Sequence, residues 1–320
     1  MSRPSRDEFV LDTVPSEQEW NALLNKHPLP PLEQLWSFGE AAIKTEGMQV
    51  FRFIARRKEN NKPVALAQFL ERRRIGQLHR APVWLDEQLS EDKKAALFQL
   101  FKTRYGLLKL RYLLCWFDSG TDTKIAQLVG QRDFGRAYTS SVLDLRKTEE
   151  ELYAAINDSW RSNLKKFAKA GLTPELCMNT GKNSPNLALL RPFIKQYDSF
   201  RKQRRFAGTS GAFLKELFFL MPQADFRLYA VRYENRLAAA ALLLRHGKCV
   251  TYFAGYSSTF GRSINAQSGL LWFGLLDAKQ QGVTSFDCGG IDPLLMPGVA
   301  AFKRGLNGAS YTLPIPQRGW

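Results

Sequence analysis

Three short strand-like runs, at residues 227–233, 237–245 and 250–256, follow one another with only turns between them. A helical stretch at 265–281 then leads to a fourth run at 284–287. That succession confines the chain to a mixed α/β fold with hairpins among its strands. The middle run is ambiguous, because residues 237–244 are four alanines and four leucines, a helix by propensity alone. Eight residues between two turns suit a buried strand better. Gly282 stands where a glycine closing the preceding helix is expected.

The first half repeats this theme loosely. Ser16-Glu17-Gln18-Glu19 reads as a capping box, followed by Trp20, Leu23 and Leu24 at helical spacing, and a second helix is expected over 35–45. Strand-like runs at 49–55 and 63–70 flank a polar, Asn-rich turn, and a helix at 90–105 precedes a strand at 110–117. After a strand at 138–145, Thr148-Glu149-Glu150-Glu151 is a second capping box. It opens one helix expected to run to about residue 170, where Gly171 stops it. Further helices are expected at 191–205 and 210–220. The organisation predicted is two similar mixed α/β (α+β) domains, residues 1–137 and 138–320.

Charge narrows the partners. Forty-six Lys and Arg against 30 Asp and Glu leave a formal charge of +16, which points to nucleic acid, a phosphorylated substrate or an acidic membrane surface. Cys115, Cys177, Cys249 and Cys288 form no CxxC pair and read as buried thiols of a reducing compartment. Three histidines without an HExxH or a His/Cys cluster make zinc catalysis an unattractive reading, and no cofactor is expected. The N-terminus lacks the apolar run of a secretory signal, and no stretch approaches the ~20 apolar residues of a membrane span. A cytoplasmic protein without a transmembrane segment is expected, its basic surface free to contact an acidic membrane.

Three regions carry chemistry. Trp160, Leu164 and Phe167 share one helical face while Arg161, Lys165, Lys166 and Lys169 cover much of the remainder. With Arg201, Lys202, Arg204 and Arg205 beside Phe200 and Phe206, these cations form a candidate RNA or phosphate surface. A solvated helix face is the plainer alternative. Arg72, Arg73, Arg74 and Arg80 follow a strand, where guanidinium groups either fork onto phosphates or decorate a hairpin tip. Most informative is the stretch from Ser285 to Gly308. Asp287 ends a strand and is followed by Gly289 and Gly290, a turn that lets backbone approach a ligand, and Lys303 lies in a glycine-flanked segment where it can meet an oxyanion or a phosphate. Neither GxGxxG nor GxxxxGK[ST] is present. Cys288 lies in the same turn, but no histidine follows it, which disfavours a Cys–His nucleophile.

These motifs together resemble a known family. Val142-Leu143-Asp144-Leu145 and Trp160-Arg161-Ser162-Asn163-Leu164-Lys165-Lys166 are similar to the VDL…WRxNLKK signature of the FemABX-type aminoacyltransferases, the peptidoglycan interpeptide-bridge enzymes. Leu270-Leu271-Trp272, Phe286-Asp287-Cys288-Gly289-Gly290-Ile291 and Phe302-Lys303-Arg304-Gly305 resemble that family's LLW, FDLGGI and FKxG motifs. Trp36-Ser37-Phe38-Gly39-Glu40 and Arg80-Ala81-Pro82-Val83-Trp84 resemble its early landmarks. Cys288 and Asn307 depart from the usual leucine and glycine.

The resemblance implies two GNAT-like domains in tandem, in a compact form without a coiled-coil arm. It implies transfer of an amino acid from aminoacyl-tRNA to an anionic, amine-bearing acceptor such as a peptidoglycan precursor. Lys303 and Phe302 would then be catalytic, with Asp287, Gly289, Gly290, Trp272, Arg80 and Arg74 binding substrate. Arg161, Lys165, Lys166, Arg201, Arg204 and Arg205 would bind tRNA or phosphate. Backbone N–H groups at Gly289 and Gly290 are candidate carbonyl polarisers beside Lys303. Two other readings stand: an acyl-CoA-dependent N-acyltransferase, whose nearest phosphate cradle is Arg132-Asp133-Phe134-Gly135-Arg136-Ala137, and a non-enzymatic RNA or anionic-surface binder.

Overall fold

The computed structural model describes residues 8–27, 29–106, 112–118, 125, 132–179, 187–204 and 208–319. They form two compact units, Met1–Tyr138 with Thr312–Trp320, and Thr139–Tyr311. The second domain was expected to continue to residue 320. Instead, Gln317–Gly319 returns to the first unit, where its backbone groups pair with strands on either side.

The first unit contains β1 (Phe9–Asp12), α1 (Glu17–Leu24), α2 (Trp36–Glu46), β2 (Gln49–Arg57), β3 (Pro63–Arg72), β4 (Ile75–His79), β5 (Val83–Trp84), α3 (Glu91–Gly106), β6 (Tyr112–Trp116) and β7 (Arg132–Asp133). Its sheet runs β1-β2-β3-β4-β6, then the C-terminal strand, then β7, with β5 on β3. Ser16 accepts a hydrogen bond from the Glu19 N–H, capping α1 so that Trp20, Leu23 and Leu24 turn inward. On the core side Phe53, Phe69 and Phe101 pack with ring centroids 5.6–6.5 Å apart.

The second unit contains β8 (Thr139–Asp144), α4 (Glu149–Ala155), α5 (Asp158–Lys169), β9 (Glu175–Cys177), α6 (Leu187–Arg204), α7 (Gly211–Leu220), β10 (Phe226–Tyr233), β11 (Arg236–His246), β12 (Cys249–Ser257), α8 (Thr259–Ser263), α9 (Ala266–Gln280), β13 (Ser285–Asp287), α10 (Pro297–Arg304) and β14 (Ala309–Thr312); the C-terminal strand of the first unit is β15 (Gln317–Gly319). The sheet order is β14-β8-β13-β12-β11-β10-β9. The Ala/Leu run is strand β11, central in the sheet and buried from Ala238 to Leu244. The single helix expected after Thr148 is two. Ile156 is extended, and Asn157 caps α5 by accepting from the Trp160 N–H at 2.9 Å, which starts a second helix.

β12 and β13 are parallel and pair only from Cys249 to Thr251 on β12. Beyond that point β12 continues to Ser257 while β13 ends at Asp287. All four cysteines are buried and none is disulfide-bonded. Among the described residues no helix is long and apolar enough to cross a membrane, and no cluster of three His, Cys, Asp or Glu side chains has a metal-binding arrangement.

Candidate functional site

The turn after β13 is wound around Asp287. Its Oδ1 accepts from the Ser140 hydroxyl at 2.6 Å and from the Gly289 N–H at 2.7 Å, and its Oδ2 accepts from the Tyr311 hydroxyl at 2.6 Å. Three donors on a carboxylate only 6% exposed make Asp287 the organiser of the turn. Gly289 takes φ +69°, and a side chain there would place Cβ 2.5 Å from the Tyr252 carbonyl oxygen, so only glycine fits. The Gly289 N–H, expected as a carbonyl polariser, is committed to Asp287 instead.

Lys303 comes up beneath this turn from α10 and is 7% exposed. Its Nζ donates to the Gly290 carbonyl at 2.8 Å and lies 5.2 Å from the centre of the Tyr252 ring. A carbonyl and a ring face hold this ammonium weakly compared with a carboxylate. Burial lowers its pKa from 10.5 to about 8, against the opposing pull of Cys288 and Asp287. The neighbouring Cys288 thiol is pushed up to about 11 by burial, which keeps it protonated and disfavours it further as a nucleophile.

Phe302, one residue earlier, is half-buried and stacked on Trp160 at 4.8 Å between ring centroids. Trp160 Nε1 also donates to the Phe302 carbonyl at 2.7 Å. A Cβ on Gly305 would fall 2.3 Å from the Trp160 ring, so a glycine there lets the indole lie against the end of α10. The Trp-Arg-Ser-Asn segment thus serves as a mount. Trp160 fixes Phe302, Asn163 accepts from the Asn265 amide at 2.9 Å, and Arg161 ties back to the Ala154 and Ile156 carbonyls and to Asp158.

Phe302 and Tyr252 line a cavity of about 590 Å³, together with Gly255 and Tyr256 of β12, Gln267 of α9 and Pro297 of α10. A larger cavity, about 680 Å³, lies between α6 and the β10–β11 hairpin and includes Lys195, Glu234 and Arg236. The smaller cavity is the better candidate, because its lining includes Tyr252, whose ring faces the Lys303 ammonium, and Phe302, the residue before it.

The structure brings Lys303, Phe302, Asp287, Gly289 and Gly290 together. Trp272 is elsewhere on α9, packed edge-on against Tyr153 at 5.9 Å, in an apolar groove of about 390 Å³ that Lys165 also borders. Lys165 and Lys166 are exposed, and Arg201 pairs with Asp198 at 3.3 Å. Arg204 ends α6 with its side chain outside the described set, and Arg205 lies outside the described residues. Arg74 and Arg80 belong to the first unit. Arg80 pairs with Asp118 at 2.7 Å, while the Arg74 N–H donates to Glu71 at 2.7 Å. Residues 132–137, the nearest match to an acyl-CoA phosphate cradle and a poor one because a strand follows instead of a helix, are β7 and the coil after it, with no helix opening there. Sequence reasoning missed Ser140, Tyr252 and Tyr311. The one signal available was the Ser140-Ser141 pair, two buried hydroxyls in strand β8.

Residues 158–304 match the family model of the acetyltransferase (GNAT) domain. No curated protein matches the chain. Among solved structures the chain is similar to FemX, with a TM-score of 0.75 at 15% identity over 96% of each chain. It is also similar to a tandem GNAT protein from the clavulanic acid biosynthesis pathway, with a TM-score of 0.62 at 9% identity over 98% of each chain. A third similar structure is the C-terminal domain of a putative lysylphosphatidylglycerol synthetase from Agrobacterium fabrum, with a TM-score of 0.60 at 13% identity over 94% of this chain and 90% of that one. The chain therefore has a FemX-like fold of two GNAT-like domains in tandem.

Proposed function

We propose that the protein transfers an amino acid from aminoacyl-tRNA to an amine of a peptidoglycan precursor or a related anionic acceptor, at the cavity beside Lys303. The observation that carries this reading is Lys303 itself, a buried ammonium held by a carbonyl and a ring face. Attack of the acceptor nitrogen on the ester carbonyl carbon places negative charge on the carbonyl oxygen. The C–O bond to the ribose then breaks, and the proton lost by nitrogen ends on the departing ribose oxygen. An ammonium already stripped of water interacts with that oxyanion more strongly than a hydrated one. Phe302, stacked on Trp160, supplies a rigid apolar wall against which the acyl group can be oriented. Similarity to FemX and to a lysylphosphatidylglycerol synthetase domain supports acyl transfer on this scaffold.

The acyl-CoA reading requires a pyrophosphate cradled by open backbone N–H groups where a strand runs into a helix. The turn after β12 is occupied by α8, the Gly261 N–H donates to the Ser258 hydroxyl at 3.0 Å, and α9 begins at Asn265 with φ 55°. That geometry favours the aminoacyl ester as donor. Purified protein should be offered a panel of aminoacyl-tRNAs, acyl-CoAs and peptidoglycan precursors, with products read by mass spectrometry. An aminoacylated precursor formed only with tRNA donors is the expected result. Product from acyl-CoA alone would overturn the donor, and no product with any pair would leave the anionic-surface binder.

A further inference from the structure

We propose that the loop at residues 293–299 is a membrane-docking element that seats the mouth of the Lys303 cavity on an anionic lipid surface. Pro293, Leu294, Leu295, Pro297, Gly298 and Val299 are all exposed, Leu294 at 76% and Leu295 at 70%. Two adjacent leucines turned almost wholly to solvent form a contiguous apolar tip, the kind of patch that marks an interaction surface. The loop is also wound tightly. Asp292 Oδ1 accepts from the Leu294 and Leu295 N–H groups, each at 2.9 Å, and the Met296 N–H donates to the Asp292 carbonyl at 3.0 Å. Leu295, Met296, Pro297 and Val299 line the 590 Å³ cavity as well, so the apolar tip is part of its rim.

Charge selects the occupant. From Cys288 to the C-terminus the sequence holds a single acid, Asp292, which the turn engages, against Lys303, Arg304 and Arg318. Arg304 on α10 and Arg262 at the same cavity are exposed, and the whole chain carries +16. Exposed apolar side chains with arginines nearby and no uncommitted carboxylate in the segment match a surface that is anionic outside and apolar beneath. A purely apolar protein partner would use the leucines and leave the charge without a role. The inference is independent of the donor's identity, and its test reads membrane binding without turnover.

Full-length protein should be sedimented with vesicles of equal parts phosphatidylglycerol and phosphatidylcholine, and with phosphatidylcholine alone. Binding to the anionic vesicles, weakened by salt, is expected. The Leu294→Asp/Leu295→Asp double variant should lose about tenfold or more in partitioning with an unchanged melting temperature, both side chains being exposed. A Leu294→Trp variant should shift its emission to the blue on anionic vesicles only. The proposal is overturned if the wild type ignores anionic vesicles or if the double variant binds them equally well. It is likewise overturned by leucine-dependent self-association in sedimentation velocity, which would make a second copy the occupant.

Discussion

Burial lowers the Lys303 pKa to about 8 from an ordinary 10.5, and the sign of that shift has consequences for stability and for rate. Between those values the unfolded chain binds more protons than the folded one, so this group's contribution to stability rises with pH across that window. Below pH 8 the buried charge is a cost. Lys303→Met should therefore raise the melting temperature at pH 7, since the exposed Gly290 can pass its carbonyl to water. The same variant should lose about 10²–10³ in kcat with little change in donor affinity. Calorimetry and single-turnover kinetics check both halves, and a variant that melts lower yet turns over normally would make Lys303 structural. Wild-type turnover should also fall as pH passes about 8 and the ammonium loses its proton. Lys303→Arg, charged throughout, should lose that break even if its planar fork makes it slower.

The junction between α4 and α5 links local sequence to the site. Asn157 caps α5, and its N–H donates to the Gly305 carbonyl at 3.0 Å, so one residue sets both the helix start and the end of α10. Asn157→Ala should cost about 1 kcal/mol in denaturant unfolding. It should also lower kcat, because Trp160 positions Phe302, while leaving the pH break near 8 in place. A stability loss without a rate loss would detach the mount from the chemistry. The same junction shows what a sequence can and cannot display. Strand β11 was legible because turns at both ends bound its length, and α9 because Gly282 closes it. The break at Asn157 was not, because Thr148 and Gly171 mark the outer ends of the segment and an asparagine inside a helical pattern looks merely tolerated. The family motif pointed to Phe302 and Lys303, and the structure places both beside the turn after β13. The Ser140–Asp287 bond spans 147 positions and exists only once β8 lies beside β13.

Across the whole molecule, the return of β15 to the first unit is invisible in the sequence for a related reason. Three residues after Pro314 and Pro316 carry little strand signal, and β15 is defined by pairing with β6 and β7 on either side. Net charge follows from the sequence as a sum, but its division among roles depends on what each side chain touches. Of the basic residues on α5, Arg161 is tied to Asp158 and two carbonyls, whereas Lys165 and Lys166 face solvent. A phosphate contact releases counterions, so each one removed should reduce the slope of log affinity against log salt by about 0.7 for single-stranded and about 0.9 for duplex contacts. If α5 meets the tRNA backbone, Lys165→Ala and Lys166→Ala should each flatten that slope, measured by fluorescence anisotropy across a potassium chloride series. Arg161→Ala should leave the slope unchanged and lower the melting temperature, since what it loses is the tie to the end of α4. A slope that changes for Arg161 and stays fixed for the lysines would reverse the assignment, making Arg161 the phosphate ligand and the lysines a solvated face.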